Sequence, residues 1–115
     1  MNQDYIIITA GGKGTRMGSV IPKQFLAIGG QPVLMRTIRR FWEYSRKLSI
    51  ILVLPEDQIK YWSRLCQQYQ FQIPHQIVAG GKTRFHSISR GLSLIPDQAE
   101  GVVGIHDGVR PFPSI

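Results

Sequence analysis

The sequence predicts an α/β fold, a three-layer sandwich in which helices cover both faces of a mainly parallel sheet. Short apolar runs alternate with segments whose apolar residues recur at helical spacing, in the order β-α-β-α-β-α-β. The run from Ile50 to Leu54 is apolar throughout, which is typical of a strand covered on both faces. Strands that alternate with helices in this way are parallel and are joined by right-handed crossovers. We therefore expect one domain over residues 1–115.

The first half of the chain is predicted to contain two strands and one helix. Residues 5–8 form an apolar strand that runs into a glycine-rich loop. Pro32 suits the first turn of a helix over about residues 33–45, because the N–H that proline lacks has no helical partner there. Residues 49–54 form the second strand, which Pro55 ends. The apolar stripe of the helix consists of Leu34, Ile38, Phe41 and Trp42.

The second half of the chain is predicted to contain two helices and two strands. Glu56 and Asp57 begin a helix, where negative charge interacts favourably with the helix dipole. Residues 76–79 form the third strand, and residues 101–105 form the fourth. A helix over roughly residues 83–94 lies between these strands, and we expect its Phe85, Ile88 and Leu92 to point inward. The apolar face of the earlier helix consists of Ile59, Trp62, Leu65, Cys66 and Tyr69.

Composition narrows the classes of function. The chain has 14 Lys and Arg against 7 Asp and Glu, a formal net charge of +7. Its basic residues are scattered along helices and are not interleaved with aromatic residues, so nucleic acid is not the expected partner. The lone Cys66 is expected to be a small buried hydrophobe, and a single thiol fits a reducing compartment. No secretory leader or membrane-spanning run is present, so we expect a soluble, cytoplasmic protein without a membrane partner.

The glycine-rich loop after the first strand is the strongest functional signal. Gly11, Gly12 and Gly14 lack a Cβ, so the backbone can adopt positive φ and bring several N–H donors close to an anion. Arg16 offers a bidentate fork and Lys23 a compact charge, a combination that suits a polyphosphate. The plainer alternative is a tight turn between a strand and a helix, with both cations solvated.

The loop matches neither of two common phosphate motifs. A dinucleotide fingerprint that starts at Gly12 requires a glycine where Met17 stands. The only Gly-Lys-Thr, at residues 81–83, would need a glycine at Gln76 to complete a P-loop. The phosphate-binding hypothesis therefore depends on the loop's own glycines and cations.

Three of the four predicted strands are followed by residues that could bind a ligand or a metal ion. These segments are residues 11–16, 80–84 and 106–110. Ligands of open α/β sheets bind beyond the carboxyl ends of the strands, so the three loops can share one crevice. There Asp107 could bind Mg²⁺ together with phosphate oxygens, or it could be an ordinary turn residue. Ser87 could contact a base or ribose, or lie on the helix surface, and His106 is expected to be structural.

Several classes of enzyme are not supported by the sequence. It contains no Ser-His-Asp order, no paired carboxylates and no zinc-ligand spacing. Hydrolase and metalloprotease functions are therefore not expected.

The motifs together resemble the 2-C-methyl-D-erythritol 4-phosphate cytidylyltransferase family of the non-mevalonate isoprenoid pathway. The matching segments, in order and at matching spacing, are residues 10–17, 22–25, 80–81, Arg84, Ser87 and residues 106–111. The resemblance implies a Rossmann-like fold of nucleotidyltransferase type. It also implies transfer of a cytidylyl group from CTP to a sugar-alcohol phosphate, 2-C-methyl-D-erythritol 4-phosphate, with release of pyrophosphate and with Mg²⁺ or another divalent cation as cofactor.

The resemblance also implies roles for individual residues. Arg16 and Lys23 would stabilise the transition state, and Asp107 would hold the metal ion. Gly81 and Ser87 would recognise the cytosine. The residues that would surround the triphosphate are Ala10, Gly11, Gly12 and Gly14. Further nucleotide contacts are expected from Gly80, Arg84 and Gly108.

Two alternatives stay open for the acceptor and for activity. The glycine loop is also similar to that of ribitol-5-phosphate cytidylyltransferases. Members of the resembled family continue beyond residues 106–111 with a dimer arm and acceptor-binding residues. We therefore expect the chain to be truncated and to represent the CTP-binding part of a homodimeric enzyme, with weak or absent turnover alone. The alternative to an enzyme is a non-catalytic module that binds a nucleotide.

Overall fold

The structure is a computed structural model that describes residues 4–10, 27–28, 30–45, 47–81, 83–96, 101 and 103–107. The strands and α-helices in these residues are β1 (Tyr5–Thr9), β2 (Ala27–Ile28), β3 (Gln31–Pro32), α1 (Val33–Tyr44), β4 (Ser49–Leu54), α2 (Ile59–Gln68), β5 (Gln76–Ala79), α3 (Arg84–Leu92) and β6 (Val103–Asp107). A short 3₁₀ helix, Glu56–Gln58, directly precedes α2. Within this part of the chain, no helix has both the length and the apolar character needed to cross a membrane.

Four strands form one parallel sheet in the order β5-β4-β1-β6. β1 pairs with β4 on one side and with β6 on the other. The chain passes from β1 to β4 and β5 in one direction, and then returns to place β6 on the far side of β1. In open α/β sheets, such a reversal leaves a crevice at the carboxyl ends of the two strands. The predicted parallel α/β architecture is confirmed, and its reversal point lies between β1 and β6.

Helices cover both faces of the sheet because side chains alternate along the strands. Ile6 and Ile8 of β1 belong to the larger cluster, which α1 and α2 complete. Ile7 belongs to a smaller cluster with Ile51 and Val53, on the face that α3 covers. The buried residues that the helices add to the larger cluster are Leu34, Met35, Ile38, Trp62 and Leu65. The three predicted layers are therefore present.

The predicted inward face of α3 is wrong in two of its three residues. Phe85 is 73% exposed and Leu92 is 43% exposed, whereas Ile88 is half-buried. The helix contacts the sheet through Gly91, which is buried. A Cβ at this glycine would lie 2.9 Å from Cγ2 of Ile7. α3 thus approaches β1 through its smallest residue, and this close approach turns Phe85 and Leu92 toward solvent.

The close approach at Gly91 gives a stability prediction. Gly91→Val should lower the free energy of unfolding by about 2 kcal/mol, because extra methyl groups in a packed region force neighbours apart. Urea unfolding followed by circular dichroism measures this change. Ser89→Val, at an exposed position of the same helix, is the matched control and should change it by less than about 0.5 kcal/mol. A loss in Gly91→Val no larger than that in Ser89→Val would contradict close packing of the helix against the sheet at this glycine.

A small hairpin between β1 and α1 was not predicted. Ala27 and Ile28 pair antiparallel with Pro32 and Gln31, and Gly30 has a φ of 90° in the turn. Pro32 has a ψ of 142° and lies just before α1, one position earlier than the first-turn position expected for it. Its missing N–H is therefore tolerated at a strand end.

The last strand starts and ends two residues later than predicted. β6 spans Val103–Asp107, so His106 and Asp107 belong to the strand itself. Pairing with β1 defines this end, because His106 lies opposite Ile8 and Asp107 opposite Thr9. Asp107 is therefore held in register with the residue at which β1 ends.

Candidate functional site

The carboxyl edge of the sheet brings together the starts of the loops that the sequence singled out. The amide of Ala10 donates to the carbonyl of Val53 at 2.9 Å, and the amide of Gly80 donates to the carbonyl of Leu54 at 2.7 Å. Both bonds continue the pairing with β4 by one residue beyond β1 and β5. Asp107 lies on the other side of β1. Since neighbouring strands lie about 4.8 Å apart, the four strand ends span about 15 Å.

The turn after β5 is held against the first turns of α3. The amide of Gly81 donates to Oγ of Ser87 at 3.2 Å. A Cβ on Gly80 would lie 2.7 Å from the same Oγ atom, and a Cβ on Gly81 would overlap the Cβ of His86. Glycine is therefore required sterically at Gly81, whereas a side chain at Gly80 would force the Ser87 hydroxyl to rotate away. The predicted residues Gly80, Gly81 and Ser87 lie together, with Ser87 half-buried.

Two residues of this turn were missed by the sequence analysis. Thr83 caps α3, because its Oγ1 accepts the backbone N–H of His86 at 3.1 Å. The same Oγ1 lies 2.9 Å from Nδ1 of His86. The signal for Thr83 was present, since threonine is a favoured cap directly before a helix. Nothing in the sequence indicated that His86 would bond back to the cap. Arg84, also predicted at this site, is the first residue of α3.

The β6 side of the edge contributes one carboxylate position and one aromatic contact. Asp107 is the last residue of β6, directly opposite Thr9. The ring of His106 lies edge-on against Phe41 of α1, with the ring centroids 5.1 Å apart. His106 is half-buried, and this contact supports the structural role expected for it.

Several predicted site residues lie outside the described part of the chain. They are Gly11, Gly12, Gly14, Arg16, Lys23 and Gly108. The nearest described residues are Ala10, which directly precedes Gly11 in the sequence and is buried, and Asp107, which directly precedes Gly108. Among the described residues, no group of three His, Cys, Asp or Glu is arranged to hold a metal ion.

His75 lies at the opposite, amino end of the sheet, directly before β5. Its Nε2 accepts the indole N–H of Trp62 at 3.1 Å, and its Nδ1 donates to the carbonyl of Ile73 at 2.8 Å. Burial lowers the pKa of His75 below its ordinary value of 6.5, and the bond to Ile73 opposes this shift. The neutral ring therefore links α2 to the segment before β5, far from the loops.

The lowered pKa of His75 predicts a loss of stability in mild acid. The unfolded chain takes up a proton at the ordinary pKa, whereas the folded chain resists it, so stability is complete above about pH 6.5 and falls as the pH drops below that value. Thermal unfolding between pH 7.5 and pH 5.5 measures this. His75→Gln, which does not titrate, should show a shallower decrease in Tm. Equal slopes for both proteins would mean that other groups cause the pH dependence.

Cys66 shows no features of a nucleophile or metal ligand. It is half-buried against the larger cluster, and burial raises the pKa of its thiol to about 11. The thiol therefore stays protonated at neutral pH, and protonated thiols are poor nucleophiles. This agrees with the role of small hydrophobe expected from the sequence.

The parallel sheet, its reversal between β1 and β6 and its loops at the carboxyl edge make the chain an open α/β domain whose ligand crevice is expected at that edge. A crystal structure of 4-diphosphocytidyl-2C-methyl-D-erythritol synthase from Anaerococcus prevotii shares this fold. It has a TM-score of 0.74 and 31% identity, and the match covers 98% of this chain and 46% of that one. The chain belongs to the 2-C-methyl-D-erythritol 4-phosphate cytidylyltransferase (IspD) family, whose model matches residues 5–114.

Two relatives that carry the family's name are more than half identical to this chain. One, from Bacteroides fragilis, is 58% identical over 108 residues, which are 94% of this chain and 48% of the relative. Another, from Bacteroides thetaiotaomicron, is 54% identical over 110 residues, which are 96% of this chain and 49% of the relative. The family that the sequence resembles is thus confirmed, and the chain spans about half the length of these relatives.

Proposed function

We propose that the protein transfers a cytidylyl group from CTP to 2-C-methyl-D-erythritol 4-phosphate and releases pyrophosphate. Membership of the family supports the reaction. The observation that carries the assignment of the site is the alignment of the starts of the glycine loop, the Gly80–Gly81 turn and Asp107 along one edge of the sheet. Residues 1–115 supply the CTP-binding part, and this part alone turns over weakly or not at all.

The turn after β5 is the proposed site for the cytosine. Oγ of Ser87 accepts the Gly81 amide, so its own hydrogen remains available to donate to an acceptor on the base. Cytosine presents acceptors at O2 and N3 and a donor at its N4 amine, and nearby backbone carbonyl groups can accept from that amine. Gly80 and Gly81 lack side chains, which leaves room for a planar base to approach the backbone. The N-terminal turn of α3, which contains Arg84, borders this position.

The glycine loop after β1 is the proposed site for the triphosphate. Backbone N–H groups of Gly11, Gly12 and Gly14 would donate to phosphate oxygens, with Ala10 at the start of the loop. The outer strands are about 15 Å apart, so one extended nucleotide can reach from the turn after β5 to the glycine loop after β1. Gly108, which directly follows Asp107, would border the same phosphates.

Asp107 is the proposed protein ligand for Mg²⁺ or another divalent cation. A carboxylate is the oxygen ligand that hard cations prefer, and its strand is in register with the residue before the phosphate loop. The chemistry of the donor therefore fits the cofactor. Phosphate oxygens of the nucleotide would complete the coordination, and the ion would neutralise part of their negative charge.

The proposed reaction needs alignment and charge neutralisation more than acid-base catalysis. A phosphate oxygen of the acceptor attacks the α-phosphorus of CTP, a new P–O bond forms, and the bond to the bridging oxygen of the β-phosphate breaks. The acceptor phosphate has its second pKa near 6, so it is already anionic at neutral pH and needs no general base. Arg16 and Lys23 would stabilise the charge that develops as pyrophosphate leaves.

Pyrophosphate release tests the proposed function directly. The protein expressed from its complete reading frame is assayed with CTP, UTP, GTP or ATP, each with methylerythritol phosphate or ribitol 5-phosphate. We expect release with CTP and methylerythritol phosphate and at least tenfold less with each other pair, a difference of about 1.4 kcal/mol. Preference for ribitol 5-phosphate would reassign the acceptor, and binding of CTP without turnover would indicate a non-catalytic module.

We further propose that the enzyme acts in the cytoplasm as a homodimer, without nucleic-acid or membrane partners. The lone thiol at Cys66 supports a reducing compartment. Light scattering tests the dimer, and a steep salt dependence of oligonucleotide binding would contradict the absence of a nucleic-acid partner.

A further inference from the structure

We propose that Thr83 and His86 form a positioning pair that sets the contact between Gly81 and Ser87, and through it the affinity of the enzyme for the cytosine base of CTP. The proposal rests on the proposed function, because it assigns the β5 turn to the base. Neither residue is expected to touch the substrate. Their effect would reach it through the Gly81 amide and the Ser87 hydroxyl.

Two hydrogen bonds connect the pair, and the hydroxyl group of Thr83 accepts one of them and can donate the other. Oγ1 of Thr83 accepts the backbone N–H of His86 at 3.1 Å, so its own hydrogen is free to donate. Nδ1 of His86 lies 2.9 Å from the same oxygen, where it can accept that hydrogen. The side chain of His86 is thereby tied to the residue that caps its own helix. Although the pair is exposed, both members are fixed by short, local contacts.

A second set of contacts connects the pair to the base site. The carbonyl of Thr83 accepts the amide of Ser87 at 3.0 Å, and Oγ of Ser87 accepts the amide of Gly81 at 3.2 Å. The Cβ of His86 occupies the space that a side chain on Gly81 would need. A change in the position of residue 86 therefore moves the wall against which Gly81 packs, and it also moves the neighbouring Ser87.

The direction of the kinetic effect follows from this geometry. A residue that orients only the base site acts on CTP equally in the ground state and in the transition state. Its loss should raise KM for CTP and leave kcat nearly unchanged. KM for methylerythritol phosphate should also be unchanged, because the proposed function assigns the turn after β5 to the base and not to the acceptor.

Thr83→Val tests the hydroxyl while keeping the shape of the side chain. In the protein from the complete reading frame we expect KM for CTP to rise about five- to tenfold, the size of the net contribution of one hydrogen bond, with kcat within about twofold. Thr83→Ser, which keeps the oxygen, should restore KM. Ser89→Ala, at an exposed position of the same helix, is the control and should leave both constants unchanged.

Two substitutions of His86 separate positioning from direct contact. His86→Asn keeps an acceptor at the place of Nδ1, so it should stay within about twofold of the unmodified KM. His86→Gln moves the amide to about the place of Nε2, and it should raise KM as Thr83→Val does. The reverse order would mean that the far side of the ring contacts the substrate, which would overturn the positioning role. Thermal unfolding of each variant confirms that the fold is intact at the assay temperature.

The failure of this inference is distinguishable from the failure of the proposed function. If the unmodified protein does not turn over CTP, the proposed function is wrong and the inference is overturned with it. If the unmodified protein is active and Thr83→Val has the same KM for CTP, the function stands and the positioning role is overturned. A fall in kcat without a change in KM would also contradict it.

Discussion

Lys23→Ala is expected to lower kcat by a factor of about 100 to 1,000, which corresponds to about 3 kcal/mol of transition-state stabilisation. The loss of pyrophosphate concentrates negative charge on the leaving group, and we propose that Lys23 is one of two cations placed to meet it. A group that acts mainly on the transition state changes kcat more than KM. Steady-state kinetics of the protein from the complete reading frame, with CTP and methylerythritol phosphate both varied, measures this.

Lys47→Ala is the matched control for the charge. Lys47 is exposed and lies just before β4, at the amino end of the sheet and away from the proposed site. The substitution Lys47→Ala removes one positive charge, as Lys23→Ala does, so it corrects for long-range effects of net charge on anionic substrates. We expect kcat within about twofold of the unmodified value. An unchanged kcat with a raised KM in Lys23→Ala would show that Lys23 only binds substrate.

Asp107→Asn should abolish most of the effect of Mg²⁺ on CTP binding. The amide keeps the size of the carboxylate but loses its charge, and neutral oxygens are weaker ligands for a hard dication. We expect Mg²⁺ to strengthen CTP binding by about tenfold or more in the unmodified protein, about 1.4 kcal/mol, and by about twofold or less in the variant. Calorimetric titration of CTP into each protein, with Mg²⁺ and with a chelator, gives the four dissociation constants that are needed.

Asp57→Asn controls for the loss of one negative charge near the same edge. Asp57 is exposed in the 3₁₀ helix that follows β4, and no role in the site is assigned to it. Its substitution should leave the effect of Mg²⁺ unchanged. Equal CTP affinity with and without the metal ion, in the unmodified protein and in Asp107→Asn, would rule out Asp107 as a metal ligand.

The main architecture could be predicted because local patterns and tertiary packing agree in most elements. The run from Ile50 to Leu54 is apolar on both faces, and it became the buried strand β4. The stripes of α1 and α2 face the core as expected, because a strongly periodic pattern leaves one way to bury the helix. Trp62, predicted on the inner face of α2, is fully buried.

The orientation of α3 could not be predicted from periodicity. Phe85 and Leu92 have the spacing of an inner face, yet the helix turns its glycine to the sheet. How closely a helix can approach a sheet depends on both surfaces, and Ile7 and Val53 are already packed there. The periodicity of apolar residues describes the surface of the helix and not that of the sheet, so it predicted that the larger side chains, Phe85 and Leu92, would face the sheet.

Those parts of the candidate site could be predicted that depend on the type of a residue and on its place at the end of a strand. Gly80, Gly81 and Asp107 were singled out because each follows a predicted strand, and a parallel sheet brings the ends of such strands to one edge. The bond from Thr83 to His86 depends on a side-chain rotamer, for which the sequence has no pattern. The functional roles of Arg16 and Lys23 stay predictions, since both lie outside the described residues.

Amide chemical shifts during titration with CTP and Mg²⁺ test the central claim most directly, namely that one nucleotide binds along the carboxyl edge of the sheet. In ¹⁵N-labelled protein, we expect the largest changes at Ala10, Gly80, Gly81, Ser87 and Asp107, and little change at Trp62 and His75 at the opposite end. Changes confined to the His75 end, or at only one of the three loops at saturation, would contradict the shared site.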